Sequence, residues 1–337
     1  MSGPPLIPSI ALPVGDPNGI GPEIALRSAV DPAVLAVCHP VLIADQSVLD
    51  QTAARLGLSA RVGKATGDGV LSVATVEALK SPMQPGEVTA AAGAAAVAYA
   101  QAAIRMAEDG EAAAVVAAPH NETAVAKAGI AFAGYPGLLA ETTGTDPDHV
   151  FLMLVTPRFR IVHVTLHIGL RQALDRLTTE RVLHTLRATD TALQMLGIDA
   201  PHIGVFGINP HAGEGGLFGN DDGRITVPAV AAARAEGLRI DGPAGADVML
   251  PTGDCDAYLA MYHDQGHIPA KLEGRGAAVG LSIGAPVLFS SVAHGSAHDI
   301  AGTGAADAAP LTNVLKRVAA MVGRSPRPDV RQPDGSP

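Results

Sequence analysis

The 337-residue chain alternates short aliphatic runs with longer stretches of mixed composition, and several of the runs end directly in polar side chains. Continuous apolar runs of this kind predict strands buried on both faces, as in a parallel sheet covered by helices. Aromatic residues make up 3% of the chain and Trp is absent, so the core is expected to be aliphatic. The pattern predicts an α/β fold. Buried strands are expected at residues 10–14, 40–45, 112–118, 203–208 and 257–262.

Helices are predicted between these strands. One is expected to begin near Pro22, because the first helical turn tolerates a missing N–H. A hairpin of two strands and one more apolar run are also predicted, and the Pro-, Arg-, Asp- and Ser-rich tail is expected to be disordered. The further helices are placed at 46–56, 89–108, 178–196, 227–236 and 310–321, the hairpin at 150–155 and 160–167, the run at 279–289 and the tail at 324–337.

Charge and cysteine content limit the class of protein. A formal net charge of −10 argues against a nucleic-acid partner, whereas a small anionic substrate needs only a few local cations. The two cysteines, Cys38 and Cys255, suggest no disulfide framework, and both are interpreted as core residues. No signal peptide and no apolar stretch long enough for a membrane span is evident, so a cytoplasmic protein is expected.

The densest polar cluster follows the predicted strand 257–262. His263, Asp264, Gln265, His267 and Lys271 fall within nine residues. Ligands of open α/β sheets bind outside the carboxyl ends of strands, so this segment is a candidate for chemistry. A solvated loop without function is the alternative.

Histidines also end other predicted strands. His167 and His211 follow strands as His263 does, but a histidine in such a place is more often structural, and their wide spacing decides nothing. His163, between two valines, is interpreted as a hydrogen-bonded core residue. The glycine-rich segment 15–23 has neither the G-x-G-x-x-G spacing nor the lysine of a phosphate-binding loop, so it indicates a nucleotide site only weakly.

Four motifs carry a family resemblance: Gly-Asp-Pro-x-Gly-Ile-Gly-Pro-Glu at 15–23, Asn-Pro-His-Ala-Gly-Glu-Gly at 209–215, Ala-Met-Tyr-His-Asp-Gln-Gly at 260–266 and His-Gly-Ser-Ala at 294–297. Together they resemble the 4-hydroxythreonine-4-phosphate dehydrogenase family, from about Ile10 to Met321. The resemblance implies an isocitrate/isopropylmalate dehydrogenase-like fold, with two α/β/α domains, a cleft between them and a homodimer whose active site lies at the subunit interface. The domains are expected at 1–125 plus 290–323 and at 126–289.

The resemblance also implies a metal and a cofactor. Its three metal-binding histidines match His167, His211 and His263, one of them contributed by the partner subunit. One divalent ion is expected per site, usually zinc, with cobalt or iron as alternatives. The segment 294–304 resembles the NAD-binding loop of isopropylmalate dehydrogenases. The expected cofactor-binding residues in it are His294, Gly295, Ala297, Asp299 and Gly302.

The substrate-binding positions depart from the family pattern. Where the family holds a phosphorylated substrate with a His-Thr pair, a Lys, an Asn and an Arg, this chain has Tyr135-Pro136, Lys271, Gly280 and Phe289. Replacing an Arg by Phe removes the charged donors that a buried phosphate needs. The expected substrate is therefore not 4-phosphohydroxythreonine.

Segments 119–124, 128–136, 150–155, 281–284 and 290–302 are similar to the terephthalate cis-dihydrodiol dehydrogenase branch of the family. That similarity implies an NAD- and divalent-metal-dependent oxidative decarboxylation of 1,2-dihydroxy-3,5-cyclohexadiene-1,4-dicarboxylate to protocatechuate and CO2, in aromatic catabolism. The alternatives are a dehydrogenase of 4-phosphohydroxythreonine or four-carbon phospho-sugar acids, as in pyridoxal phosphate biosynthesis, and a non-catalytic small-molecule binding module.

Roles for the remaining residues are hypotheses. Lys271 and Asp247 are the candidate catalytic residues, and the same two, with Arg171, His120 and Tyr135, are the candidate substrate-binding residues. Two purely structural alternatives stay open, namely a surface ion pair for Arg171 and a helix N-cap for Asp247. Asp264 is expected either to orient a metal-binding imidazole or to solvate its loop.

Overall fold

A single twelve-stranded sheet runs through the described part of the computed structural model, which comprises residues 7–58, 61–63, 70–274, 278–292 and 294–323. The strand order is β3-β4-β2-β1-β5-β12-β11-β6-β7-β10-β8-β9. The strands are β1 (Ser9–Pro13), β2 (His39–Ala44), β3 (Arg61–Gly63), β4 (Val70–Thr75), β5 (Ala114–Ala117), β6 (Phe151–Val155), β7 (Arg160–His163), β8 (His202–Phe206), β9 (Arg239–Ala244), β10 (Ala257–Ala260), β11 (Val279–Ile283) and β12 (Phe289–Ser291).

Helices connect most of these strands, which confirms the expected α/β class. They are α1 (Gly21–Ala29), α2 (Pro32–Leu35), α3 (Gln46–Leu56), α4 (Ala90–Glu108), α5 (Glu122–Lys127), α6 (Gly134–Thr143), α7 (Leu170–Arg176), α8 (Thr179–Met195), α9 (Asp221–Arg224), α10 (Thr226–Ala235), α11 (Ala246–Thr252), α12 (His263–Gly274) and α13 (Ala309–Val322). Short 3-10 turns cover Pro147–His149, Pro210–Gly216 and His298–Ile300.

The sheet has two parallel regions separated by an antiparallel centre. In the first half, β3-β4-β2-β1-β5-β12, adjacent strands are parallel. The centre pairs β12 with β11, β11 with β6 and β6 with β7 antiparallel, so the predicted hairpin is confirmed. Beyond it, β7, β10, β8 and β9 are again parallel.

The two halves draw on different parts of the chain. The first half contains β3, β4, β2, β1, β5 and β12, which come from residues 9–117 and 289–291. The second half contains β11, β6, β7, β10, β8 and β9, which come from residues 151–283. The division into domains at 125/126 and 289/290 stays a prediction, and β12 begins at Phe289. No helix among the described residues is long and apolar enough to cross a membrane.

The segment after β10 corrects one expectation. The strand predicted to extend to Tyr262 ends at Ala260, and α12 begins at His263. The polar cluster therefore lies on a helix and not in a loop. Two smaller corrections are that β7 ends at His163 and that the run 279–289 forms the two strands β11 and β12. The expected disordered tail, 324–337, lies outside the described residues.

Candidate active site

The carboxyl ends of the four parallel second-half strands meet at one edge of the sheet. Because the strands are parallel, the segments that follow them converge there. These segments carry predicted site residues: His167 follows β7, His211 follows β8, Asp247 follows β9 and His263 follows β10. The structure thus places four candidate residues, distant in sequence, at the same edge.

Helix α12 presents three of its polar residues on one face. His263, His267 and Lys271 are four residues apart, and residues at this spacing stack along a helix surface. The rings of His263 and His267 stack with centroids 3.8 Å apart, and His167 lies 5.5 Å from His263. His163 contacts His267 at 4.5 Å. We refer to these four residues, His163, His167, His263 and His267, as the histidine cluster.

Hydrogen bonds orient two of these imidazoles. His263 Nδ1 lies 2.7 Å from Asp264 Oδ1, and since a carboxylate only accepts, Nδ1 carries the proton. The Nε2 lone pair of His263 is then available to a metal. A carboxylate that holds a histidine in this way is the usual support of a metal ligand, so the orienting role expected for Asp264 fits.

A second chain of hydrogen bonds passes through His163. Its Nδ1 lies 3.3 Å from the Leu152 carbonyl oxygen and donates to it, so its Nε2 accepts from Nδ1 of His267 at 3.0 Å. His163 is 1% exposed and bonded at both nitrogens, which confirms the interpretation as a core residue. The Nε2 lone pair of His267 remains available, as that of His263 does.

Burial keeps two of these imidazoles, those of His163 and His267, neutral. It lowers the pKa of His163 to about 3, and the neighbouring histidines add to the effect. Burial, followed by the charge of His263, lowers the pKa of His267 to about 4. Neutral imidazoles are the form that binds divalent metals, so the donor set of the cluster fits such an ion.

His211 is not part of the cluster. It is exposed, its recorded ring contact is with Phe218 at 5.7 Å, and it begins a run of left-handed backbone that continues to Gly216. Among the described residues, the one group of three metal-binding side chains with ligand atoms within 4.8 Å is His202, Asp241 and Cys255, elsewhere in the sheet. A single chain therefore brings together two of the three predicted ligands.

The cationic and acidic candidates are all exposed at the surface. Lys271 is exposed, and Arg171 is exposed in the first turn of α7. No carboxylate of the described residues lies within 4.0 Å of Arg171, so the ion-pair alternative for it is not observed. Asp247 is exposed in the first turn of α11, whose N-cap is Gly245, and the N-cap alternative is therefore wrong. A cavity of about 360 Å³ beside His167, Tyr262 and His263 opens at this edge.

Two other candidates lie in the first half. The Tyr135 hydroxyl donates to the Ala118 carbonyl at 2.7 Å, and its buried ring lies 5.0 Å from that of Phe289. His120 packs edge-on against Tyr135 and Phe132. Its Nδ1 is buried without a hydrogen-bond partner, and burial lowers its pKa. His120 is thus a free polar group inside an aromatic cluster.

The predicted cofactor loop packs on the glycine-rich segment. Ile20 N–H donates to the Ser296 carbonyl at 2.9 Å, and a Cβ on Gly19 would lie 2.7 Å from the same oxygen. Asp16, fully buried, lies 3.5 Å from Nε2 of His298. His298 Nδ1 in turn contacts the Ser296 hydroxyl at 3.1 Å. Gly19 therefore allows close backbone packing against the loop.

Within the loop, the predicted residues differ in setting. Gly295 and Asp299 are exposed, whereas His294 is half-buried with an unpartnered Nε2. Ala297 has a φ of 37° and Gly302 a φ of 74°, so two tight turns give the loop its shape. The buried Asp16 carboxyl beneath it has a raised pKa, chiefly because of desolvation.

Sequence reasoning missed His267, Asp16 and His298. The four-residue spacing of His263, His267 and Lys271 places them on one face of a helix. The segment was predicted to follow a strand as a loop, and in a loop this spacing has no structural meaning. No sequence signal joins Asp16 to His298, because the pair depends on two distant segments meeting.

Comparisons with known proteins show which family the chain belongs to. A family model described as pyridoxal phosphate biosynthetic protein PdxA matches residues 36–318. A 1,2-dihydroxy-3,5-cyclohexadiene-1,4-dicarboxylate dehydrogenase of Comamonas sp. is 47% identical over 322 residues, which cover 94% of this chain and 98% of the relative. A D-threonate 4-phosphate dehydrogenase of Cupriavidus necator is 39% identical, with 94% and 98% covered.

A solved structure gives the same result. The crystal structure of a terephthalate 1,2-cis-dihydrodiol dehydrogenase from Burkholderia xenovorans LB400 is 46% identical, covers 93% of this chain with 98% of its own, and superposes with a TM-score of 0.77. The resemblance stated from the motifs and the expected fold are thereby confirmed. The chain belongs to the PdxA family of dehydrogenases.

Proposed function

We propose that this protein is an NAD- and divalent-metal-dependent decarboxylating dehydrogenase of a cyclohexadiene-diol dicarboxylate. The substrate is 1,2-dihydroxy-3,5-cyclohexadiene-1,4-dicarboxylate, and the products are protocatechuate, CO2 and NADH. The proposed enzyme acts in the cytoplasm, in terephthalate catabolism. Membership of a dehydrogenase family supports the oxidation, and the 47% identical relative of Comamonas supports the substrate.

One observation carries the choice of substrate. Tyr135 and Phe289 occupy two positions at which the resembled family binds a phosphate. Here the two rings pack in the core with their centroids 5.0 Å apart. The Tyr135 hydroxyl is already bonded to Ala118. A third such position, Gly280, has no side chain. A phosphate desolvated against these residues would lack donors, which is costly, whereas a carbocyclic ring suits apolar surroundings.

The exposed charges supply the remaining recognition. The Lys271 ammonium, on the same helical face as His263, pairs with one substrate carboxylate, and Arg171 pairs with the other. Asp247, at the end of β9, takes the proton of the hydroxyl that is oxidised. His120, with its unpartnered buried Nδ1, donates to or accepts from the polar edge of the substrate.

The chemistry follows from the substrate. The C2 hydroxyl loses its proton to Asp247, and the hydrogen on C2 leaves as hydride to NAD, which gives a ketone β to the C1 carboxylate. Breaking the bond from C1 to the carboxylate then releases CO2, and its electron pair completes an aromatic ring. A divalent metal held by His167, His211 and His263 would supply a Lewis acid for the negative charge that develops on oxygen in both steps. NAD would be held by the loop containing His294, Gly295, Ala297, Asp299 and Gly302.

The proposed enzyme is a homodimer with a shared site. His211 lies apart from His167 and His263 within one chain, as expected if a second copy completes the ligand set. Large apolar side chains are also exposed around this edge, and such patches mark interfaces. Among the described residues of the second half, the exposed large apolar side chains, with their exposed fractions, are Leu170 (60%), Leu174 (44%), Leu217 (72%), Phe218 (44%), Val227 (47%), Val248 (60%), Ile268 (56%) and Leu272 (73%).

The second candidate is a dehydrogenase of a four-carbon phosphorylated hydroxy acid. The 39% identity to the D-threonate 4-phosphate dehydrogenase of Cupriavidus necator favours it. A non-catalytic binding module is disfavoured, because His263 and Asp264 keep the geometry of a supported metal ligand.

NADH formation, followed by absorbance with zinc present, tests the proposal. The substrates to be compared are the terephthalate diol, 4-phosphohydroxythreonine and D-threonate 4-phosphate. We expect turnover of the diol with stoichiometric release of CO2. Turnover of either phosphorylated acid without turnover of the diol would overturn the proposed substrate. Absence of NADH from all of them would favour the binding module.

A further inference from the structure

A second cluster of metal-binding side chains lies at the opposite ends of the second-half strands. His202 is the first residue of β8, Asp241 lies near the start of β9, and Cys255 precedes β10. The histidine cluster lies beyond the carboxyl ends of these strands. A five-residue strand such as β8 spans roughly 16 Å at about 3.3 Å per residue, so the two clusters are separate sites.

The ligand atoms of the second cluster converge. His202 Nε2 lies 2.9 Å from Asp241 Oδ2 and 4.0 Å from Cys255 Sγ, and all of the ligand atoms are within 4.8 Å of one another. Ligands of a tetrahedral zinc ion, at about 2.0–2.3 Å from the metal, are roughly 3.3–3.6 Å apart. Side-chain shifts of about one ångström would therefore accommodate such an ion.

The hydrogen bonds of His202 indicate a cation at this point. Its side chain is 9% exposed, and Nδ1 lies 3.2 Å from the Asp254 carbonyl oxygen, which can only accept, so Nδ1 carries a proton. In the neutral ring, Nε2 then points a lone pair at the Asp241 carboxylate and towards the Cys255 sulfur. The Nε2 lone pair of His202 and the Asp241 Oδ2 atom repel each other at 2.9 Å unless a positive charge lies between them or on the ring. A second ring proton or a metal ion would provide it.

The surroundings favour the metal. A histidine whose other nitrogen donates to a backbone carbonyl is in the usual support of a metal ligand. A thiolate, a carboxylate and a neutral imidazole would together balance the charge of a divalent ion. The carboxylates of Asp241, Asp254 and Asp256 also bring negative charge to this corner, which Arg239 offsets in part.

We propose that His202, Asp241 and Cys255 form a second, thiolate-containing zinc site, distinct from the histidine cluster. The bound ion links the starts of β8, β9 and β10, and its fourth position opens to solvent on the side of the exposed Asp241. The interpretation of Cys255 as a core residue is corrected accordingly, since it is half-buried, whereas Cys38 is fully buried as expected. The site is independent of the proposed reaction.

Cobalt(II) titration of the full-length, metal-stripped protein tests this site. Thiolate bound to cobalt gives a near-ultraviolet charge-transfer absorption, which a site made of imidazoles lacks. We expect one equivalent of this absorption per chain and its loss when zinc is added. Cys255→Ser should abolish it, and Asp241→Asn, a change at an exposed side chain, should weaken cobalt affinity by roughly 100-fold.

Two controls separate this site from the active site. Cys38→Ser, a change at the other thiol, should leave the absorption intact, and so should His263→Ala, a change in the histidine cluster. Cys255→Ser should retain the NADH-forming activity of the unaltered protein. An absence of the absorption in the unaltered protein, or its persistence in Cys255→Ser, would show that His202 and Asp241 form only a proton-bridged ion pair and would overturn the proposal.

Discussion

The first-half and second-half edges of the sheet handle their polar groups in opposite ways. In the first half, Asp16 and Asn18 are buried and bonded within the chain, Asp16 beside His298 and Asn18 through its amide to Glu87, Thr89 and Gln84. In the second half, Lys271, Asp247 and His211 are exposed, and imidazole lone pairs remain open. Both groups of residues follow strands of the same sheet. The arrangement of the strands alone therefore does not explain why one group is buried and the other exposed.

The difference indicates how each edge becomes ordered. Hydrogen bonds within the chain, such as that from the Ile20 N–H to the Ser296 carbonyl, hold the first-half loop before any ligand binds, although His120 and His294 each keep an unpartnered buried nitrogen. Exposed groups with open lone pairs gain partners only from a cation, a substrate or a second chain. We therefore expect changes in the first half to affect stability and changes in the second half to affect metal and substrate binding.

The largest effect is expected at His211. His211→Ala should remove the bound metal of the active site and lower the kcat/KM of NADH formation by roughly 10³-fold, because Lewis-acid stabilisation is worth several kcal/mol. Elemental analysis and absorbance measure the two quantities. His39→Ala, at an exposed histidine of the first half, is the matched control and should change neither. Full occupancy of the histidine site in His211→Ala would contradict the ligand set.

The next effect is expected at Asp16. Asp16→Ala leaves the buried Asn18 N–H without its acceptor, so the free energy of unfolding should fall by about 2 kcal/mol, as measured with urea. Asp16→Asn keeps a side-chain acceptor and should fold. Its KM for NAD should rise while the metal content stays unchanged. A loss of metal without a change in the KM for NAD would break the distinction between the two edges.

The smallest effect is expected at Lys271. Lys271→Ala removes one charge-assisted hydrogen bond and should raise the KM for the substrate roughly 10- to 100-fold. The free energy of unfolding should change by less than about 0.5 kcal/mol, because the side chain is exposed. Arg171→Ala should act in the same direction, whereas Arg176→Ala on the same helix, paired with Asp148, should not. Equal KM values for all three variants would argue against carboxylate pairing.

Local patterns predicted the strands well where the apolar run was buried on both faces. The runs at 10–14, 112–118 and 203–208 became β1, β5 and β8 with small changes at their ends. The run at 257–262 was extended too far, because apolar residues continue past the point where the backbone turns into α12. Periodicity detects burial, and buried residues occur in both element types.

The sequence by itself determined the α/β class, the family and the polar cluster after β10, because strand hydrophobicity and motif residues are local properties. Only the tertiary structure decided which histidines meet. It joined His263 to His267 by helical stacking, left His211 apart, and brought His202 to Cys255 across neighbouring strands. The reason is that imidazole and thiolate chemistry depends on distances of a few ångströms between residues far apart in the chain, and those distances are set by strand order and packing.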